Sequence, residues 1–133
     1  CGLSVPLEDE SRFDAVTALS GSGPAFLFRF MEALAAAGEA AGLDADMARA
    51  LAQQTVTGAA ALAESSGLTP AALRQQVTSP GGTTEAGLDV LDGEGALSTL
   101  LRSTVRAAAE RSRHLAAAAE AAAVPLQPEH ERA

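Results

Sequence analysis

Apolar residues recur along this chain at intervals of three and four, the spacing that brings side chains to one face of an α-helix. Phe13, Val16 and Leu19 predict a short first helix over residues 11–19, capped by Ser11 and broken by Ser20-Gly21-Ser22-Gly23. Pro24 suits the first turn of a second helix over 24–41, with Gly42 as its stop. Leu27, Phe30, Met31 and Leu34 make one stripe on it, but Phe26 and Phe28 lie off that stripe. A helix apolar on more than one side needs cover on more than one side. A small helical domain offers few such places, and a subunit interface is one, so this helix predicts an oligomer.

Asp44 is the expected N-cap of a third helix over 45–66, with Met47, Leu51, Thr55, Gly58 and Leu62 along one face and Gly67 beyond its end. A helix-interior glycine costs about 1 kcal/mol relative to alanine, so Gly58 predicts close approach of another helix there. Thr69-Pro70 starts a short helix reaching Val77, with Leu73 and Val77 directed inward. Another short helix, 84–91, is anchored by Leu88 and Leu91, and Gly87 predicts a second close contact. After the turn Asp92-Gly93-Glu94-Gly95, the last helix begins near Ala96 and runs past Leu115. Its seam is Leu97, Leu101, Thr104, Val105, Ala108, Ser112 and Leu115, and alanines prolong it to Ala123, before Pro125 and Pro128. No stretch alternates convincingly with period two. The prediction is an all-α domain over residues 11–123, preceded by an extended lead-in (1–10) and followed by a loose acidic tail (124–133).

Composition sharpens this picture. Alanine is the commonest residue and aromatics are only 3%. Small side chains let helices pack closely but do not fill a thick sheet sandwich. With 133 residues, the chain has room for one domain that buries roughly two-thirds of the surface exposed when unfolded. A net charge of −8 and the lack of Tyr and Trp argue against nucleic acid, which needs a basic surface and stacking platforms. All nine basic residues are Arg, which leaves no lysine for a Schiff base. Cys1 has no partner for an intramolecular disulfide. His114 and His130 are isolated, so no metal site is expected. No apolar run is long enough to span a membrane, and the acidic start has no signal-peptide pattern. These features fit a cytoplasmic protein. The absence of Met at position 1 suggests a piece of a longer chain.

The chemistry concentrates in Val77-Thr78-Ser79-Pro80-Gly81-Gly82-Thr83-Thr84-Glu85. Proline fixes the chain, two glycines open backbone angles closed to other residues, and two hydroxyls stand at the start of a helix. Such a loop can aim several N–H groups at one point, next to the positive end of a helix dipole, making an anion clamp of a size suited to a carboxylate. The plain alternative is an interhelical turn in which Thr83 caps a helix. Gly21-Ser22-Gly23 is no dinucleotide fingerprint, because its predicted flanks are helical and not a strand. Ser22 equally lacks the setting of a nucleophile elbow.

Two stretches together are specific: Asp14-Ala15-Val16-Thr17-Ala18-Leu19-Ser20-Gly21-Ser22-Gly23-Pro24-Ala25-Phe26, and Val77 through Leu88. Between them lie Glu32-Ala33-Leu34, Gly42-Leu43 and Gln54-Thr55-Val56-Thr57-Gly58-Ala59. In this order and spacing they resemble the C-terminal half of pyrroline-5-carboxylate reductase, over roughly residues 12–116. The resemblance implies an all-helical dimerisation domain of the 6-phosphogluconate-dehydrogenase C-terminal-like type, interlocked with a second subunit, with dimers often forming larger rings. It implies an oxidoreductase of proline biosynthesis that reduces the cyclic imine 1-pyrroline-5-carboxylate to L-proline. NADPH or NADH would be bound by an N-terminal Rossmann domain that is not in this sequence, and no cofactor-binding residue is assigned here.

By the same resemblance, Ser79, Gly81, Gly82, Thr83 and Thr84 hold the substrate's carboxylate or ring. Thr84 stands near the ring nitrogen as the catalytic candidate. Thr17, Val77 and Thr78 would line the pocket, from the same subunit or across the dimer. Many members have Ala where this chain has Thr83, and a second hydroxyl there should be tolerated. Residues 1–10 become a linker remnant, and the chain alone is expected to be inactive. Two other readings stand beside this one. A helical domain of a β-hydroxyacid-type dehydrogenase would use a catalytic Lys, which this chain lacks. A stand-alone helical interaction module would keep the association surface without the chemistry.

Overall fold

The computed structural model describes residues 12–123. The expected lead-in, the Ser11 cap, Cys1, Pro125, Pro128, His130 and the acidic tail lie outside the described residues. Within them the chain is helical and has no strand, as the three-and-four periodicity predicts. Its elements are α1 (Phe13–Val16), a π-helical turn (Thr17–Gly21), α2 (Gly23–Ala40), α3 (Ala45–Ser66), α4 (Pro70–Gln76), α5 (Thr83–Asp92), a 3-10 turn (Gly93–Gly95) and α6 (Ala96–Ala122). None of the described helices is long and apolar enough to cross a membrane. The described chain divides into two compact units, Gly23–Leu101 and residues 12–22 with 102–123.

In Gly23–Leu101 the organising element is the α2–α3 hairpin. α2 ends where the Gly42 and Leu43 amides bond back to the carbonyls of Glu39 (2.9 Å) and Gly38 (3.1 Å), which satisfies carbonyls left over at the helix end. α3 then starts on Asp44, whose Oδ1 accepts from the Met47 amide at 3.0 Å. α4 starts in the same way, Thr69 Oγ1 accepting from the Ala72 amide at 3.2 Å, with Pro70 at the first helical position. The two helices of the hairpin meet on alanines. Ala35, Ala48 and Ala52 form the buried cluster between them, and a Cβ placed on Gly38 would lie 3.4 Å from both Ala48 Cβ and Leu43 Cδ1. Small residues here let the two backbones run close together.

The close approach therefore falls at Gly38, not at the glycines expected to mark it. Among the described residues, a Cβ on Gly58 or Gly87 would meet nothing within 4 Å. Val77 also departs from expectation. It is the residue that ends α4 and is 63% exposed, whereas Leu73 is half-buried. The φ of −102° at Val77 takes the chain out of the helix just where the fourth turn position would have pointed inward.

In the other unit, the first helix does not break at Ser20-Gly21. It widens. The Ser22 amide reaches the Thr17 carbonyl, five residues back, at 3.0 Å, and Ser20 Oγ donates to the Val16 carbonyl at 2.8 Å. The helix leaves only at Ser22. Such π-turns occur mostly as single turns and are frequent at functional positions. Ala18 is completely buried, while Thr17 and Asp14 are half-buried. Ser112 Oγ, on α6, donates to Asp14 Oδ1 at 2.7 Å. On the predicted seam of α6, Leu97, Thr104, Val105, Ala108 and Ser112 are half-buried, but Leu101 and Leu115 are exposed.

Large apolar side chains are conspicuous by their exposure. The buried apolar residues among the described ones are four alanines, and no large side chain is fully buried. Leu27, Phe28 and Phe30 on α2 are 54%, 63% and 47% exposed. The apolar girdle that the pattern predicted on α2 is present, and the described residues leave it largely exposed.

Candidate functional site

The loop between α4 and α5 is built from the proline outward. Ser79-Pro80-Gly81-Gly82 is a β-turn closed by the Gly82 amide on the Ser79 carbonyl at 3.0 Å. Pro80 occupies the second position, where its fixed φ fits, and Gly81 the third, with φ +70°. That is the type II turn, which requires a positive φ at its third residue. The following glycine has a different reason. Gly82 is the N-cap of α5, with φ −88° and ψ 177°, angles open to any residue. A Cβ there would lie 3.0 Å from the Ser79 carbonyl oxygen and 3.5 Å from Ser79 Cβ. One glycine is needed for its backbone angle, the other for space.

Replacing them tests this division. Gly81→Ala puts an alanine in the left-handed region with nothing to clash against, so the expected loss is the conformational term alone, roughly 1–2 kcal/mol. Gly82→Ala pushes on a backbone oxygen and must open the turn itself. Both variants should melt several degrees lower by circular dichroism, and only Gly82→Ala should also disturb the amide resonance of Ser79 and its neighbours.

Because Gly82 is the cap, Thr83 and Thr84 are the first two helical residues. Thr83 does not cap the helix, as the plain alternative has it. The first intrahelical bond of α5 runs from the Ala86 amide to the Gly82 carbonyl, at 3.2 Å. The amides of Thr83, Thr84 and Glu85 come before it and have no intrahelical partner, so they face out at the positive end of the helix dipole. The clamp is narrower than the sequence suggests. The Gly82 amide is used in closing the turn, and the Gly81 amide donates to Glu85 Oε2 at 2.6 Å. Two of the expected donors are thus spent on the loop's own structure. What remains for a ligand is the amides of Thr83, Thr84 and Glu85 with the two threonine hydroxyls, all on exposed residues. A carboxylate fits that arrangement, since two parallel N–H groups match its two oxygens.

The role of Glu85 was missed, although a signal for it exists. Glycine at the N-cap with Glu three residues later is a variant of the capping box, in which the acid reaches back to a free amide of the preceding turn. Here it reaches one residue beyond the cap. The remaining expected residues fall as follows. Ser79 is exposed and gives its carbonyl to the turn, and Val77, two residues before it, is also exposed. Thr78 Oγ1 is committed to the Arg74 carbonyl at 2.6 Å, holding the end of α4. Thr17 belongs to the unit of residues 12–22 with 102–123 and heads its π-turn.

A Rossmann-type dinucleotide site requires a strand, a Gly-rich turn and a helix N-terminus in succession. The described residues include no strand, and Gly21-Ser22-Gly23 lies where a π-turn passes into α2. The described residues form no dinucleotide site of that type.

The family model for pyrroline-5-carboxylate reductase dimerisation matches residues 10–115. The chain is 54% identical over 107 residues to the pyrroline-5-carboxylate reductase of Pisum sativum, covering 80% of this chain and 39% of that protein. It is 47% identical over 115 residues to the reductase of Pseudomonas aeruginosa, covering 86% and 42%. Among solved structures, a pyrroline-5-carboxylate reductase from Coxiella burnetii matches with a TM-score of 0.80 and 44% identity, over 86% of this chain and 42% of that one. The Plasmodium falciparum pyrroline carboxylate reductase, solved with NADP bound, matches with a TM-score of 0.74 and 33% identity, over 80% and 40%. The chain spans about two-fifths of the length of the curated relatives it matches. With the loop, the π-turn motif and the helical order all within the matched residues, the chain belongs to the pyrroline-5-carboxylate reductase dimerisation family.

Proposed function

We propose that this chain serves a pyrroline-5-carboxylate reductase as its self-associating, substrate-holding domain. The reaction is the NAD(P)H-dependent reduction of 1-pyrroline-5-carboxylate to L-proline. The observation that carries the substrate-holding role is the amide pair of Thr83 and Thr84, left without intrahelical partners at the start of α5 behind a rigid type II turn. The substrate carboxylate bonds to these amides and to the Thr83 hydroxyl. The Thr84 hydroxyl faces the ring nitrogen and orients it, or passes it a proton directly or through water. Gly81 and Gly82 fix the turn, and Ser79 and Val77 edge the same loop. Holding the substrate in reacting geometry is the largest contribution such a site can make without supplying the hydride.

The girdle on α2 supports the association. Two copies of this chain, interlocked through Leu27, Phe28, Phe30 and the neighbouring faces, cover apolar surface that one copy leaves in water. The stand-alone interaction module, without substrate binding, is the competing reading, and one titration separates the two. Added L-proline, which carries the product carboxylate, should shift the amide resonances of Thr83 and Thr84 in the 133-residue chain. No proline should form from pyrroline-5-carboxylate and NADPH with this chain alone. Amides that stay unmoved at saturating proline favour the interaction module. Turnover by these residues alone overturns the division of labour.

A further inference from the structure

We propose that the Glu85 side chain is a strap that fixes the Ser79–Gly82 turn on the end of α5, which makes Glu85 a positioning residue for the carboxylate loop. The inference rests on the reading that this loop holds the substrate. The loop has two stiff parts with a joint between them, all within Gly23–Leu101. On one side is the type II turn, closed by the Gly82 amide on the Ser79 carbonyl at 3.0 Å. Upstream it is fastened to α4, where the Thr78 amide donates to the Gln75 carbonyl at 3.2 Å and Thr78 Oγ1 to the Arg74 carbonyl at 2.6 Å. On the other side is α5, with Thr83 and Thr84 as its first residues. Between them stands Gly82, and glycine has the freest backbone of any residue. The turn carries Ser79 and the helix carries the threonine amides and hydroxyls. The angle at this joint therefore sets how the two edges of the site face each other.

Glu85 spans the joint. It is the third residue of α5, and its Oε2 accepts from the Gly81 amide, on the far side of Gly82, at 2.6 Å. Among the described residues, no other side-chain hydrogen bond crosses Gly82. The bond is short, as is usual when the acceptor is charged. It is also exposed, so water competes for both groups. Two things favour it nonetheless. The partners are four residues apart, so closing the loop costs little entropy. An acid in the first turn of a helix is also stabilised by the helix dipole. Capping alone does not account for the arrangement. An acid at the third helical position ordinarily reaches back to the amide of the N-cap residue, and the Gly82 amide is already taken by Ser79. The carboxylate passes over the cap and ties down the turn instead. It does so beside the site proposed for a substrate anion, where a negative charge opposes binding. The fixed geometry of the loop offsets that repulsion.

Two substitutions separate the strap from the charge. Glu85→Gln keeps the length and an acceptor oxygen but removes the charge. Glu85→Asp keeps the charge at a helix position that suits an acid, but it is one methylene shorter and cannot reach the Gly81 amide. In a reductase carrying this chain as its C-terminal domain, Glu85→Asp should raise the KM for pyrroline-5-carboxylate about tenfold, since a small misplacement of a positioning group costs that much or more. The KM for NADPH should stay unchanged, and Glu85→Gln should stay close to wild type. A lowered KM in Glu85→Gln with no change in Glu85→Asp means that the carboxylate acts only as a nearby charge, and overturns the proposal. So does an equal rise in both variants, or no change in either. In the 133-residue chain, solvent exchange of the Gly81 amide should speed up in Glu85→Asp and not in Glu85→Gln; equal exchange in both variants and wild type also overturns the strap. Titration with L-proline separates this proposal from the reading beneath it. If the Thr83 and Thr84 amides of the wild-type chain stay unmoved, the loop is not the site and both fail. If they move while Glu85→Asp keeps the wild-type KM, the strap alone fails.

Discussion

Phe28→Asp should abolish self-association, and the loss should extend to the fold. Phe28 is 63% exposed in the single chain and lies between Leu27 and Phe30, themselves about half exposed. Burying a phenylalanine contributes roughly 1.5–3 kcal/mol. In a two-fold assembly every substitution acts twice, and the aspartate adds the cost of bringing an unpaired charge into an apolar interface. The total is about as large as the whole stability of an ordinary domain. What makes the effect severe is the lack of a fallback. The buried apolar residues among those described are alanines, which supply too little apolar area to offset the entropy of ordering the chain. Dissociation and unfolding should therefore coincide. Sedimentation should show loss of the dimer at micromolar concentration, and the circular-dichroism melt should lose its cooperativity, while the wild-type Tm rises with protein concentration. A variant that sediments as a well-folded helical monomer would falsify the obligate character of the assembly.

Thr84→Ala, in a reductase carrying this chain, should lower kcat by about 10- to 100-fold, the range for removing a group that orients or protonates the reacting atom. The substitution leaves the Thr84 amide in place, so carboxylate binding and KM should change much less. It also leaves the turn intact, because neither the Ser79–Gly82 bond nor the Gly81–Glu85 bond involves the Thr84 side chain. Tm should thus stay within a degree or so of wild type, in contrast to the two glycine variants of the same loop. Steady-state kinetics with pyrroline-5-carboxylate varied at saturating NADPH gives both constants. A wild-type kcat removes Thr84 from the chemistry, and a raised KM with kcat intact reassigns its hydroxyl to binding.

Local signals and long-range ones fared differently. Asp44, Thr69-Pro70 and Gly42 announce helix ends through chemistry that acts within a few residues, and all three stand where the spacing puts them. The loop was legible for the same reason, since Pro80-Gly81-Gly82 narrows the turn to very few shapes. Its hydrogen bonding was not, because the choice between Glu85 and solvent for the Gly81 amide depends on a rotamer and leaves no periodic trace. The π-turn was hidden too. Ser20-Gly21 reads as a breaker by propensity, and the side-chain bond from Ser20 to Val16 tips the balance toward a widened helix. Gly58 and Gly87 were read as points of close helix approach, and among the described residues Gly38 has that part. Sequence shows that a small residue is needed, but not against what. The Asp14–Ser112 bond, closing across 98 residues, lies beyond any pattern that runs along the chain.

The alanine seam between α2 and α3 also sets an order of events in time. Its members lie close together in sequence, on two helices joined through residues 41–44. Contacts this local cost little loop-closure entropy and form early, on the scale of microseconds to milliseconds. In the proposed assembly the girdle on the outside of the same hairpin is covered by a second copy, which only an encounter between molecules can supply. A newly made chain therefore gains its helices quickly and then waits, with its phenylalanines in water, for a partner to arrive. How long that exposed interval lasts depends on how many copies are nearby, so the abundance of the protein, more than the speed of its folding, governs its risk of aggregation.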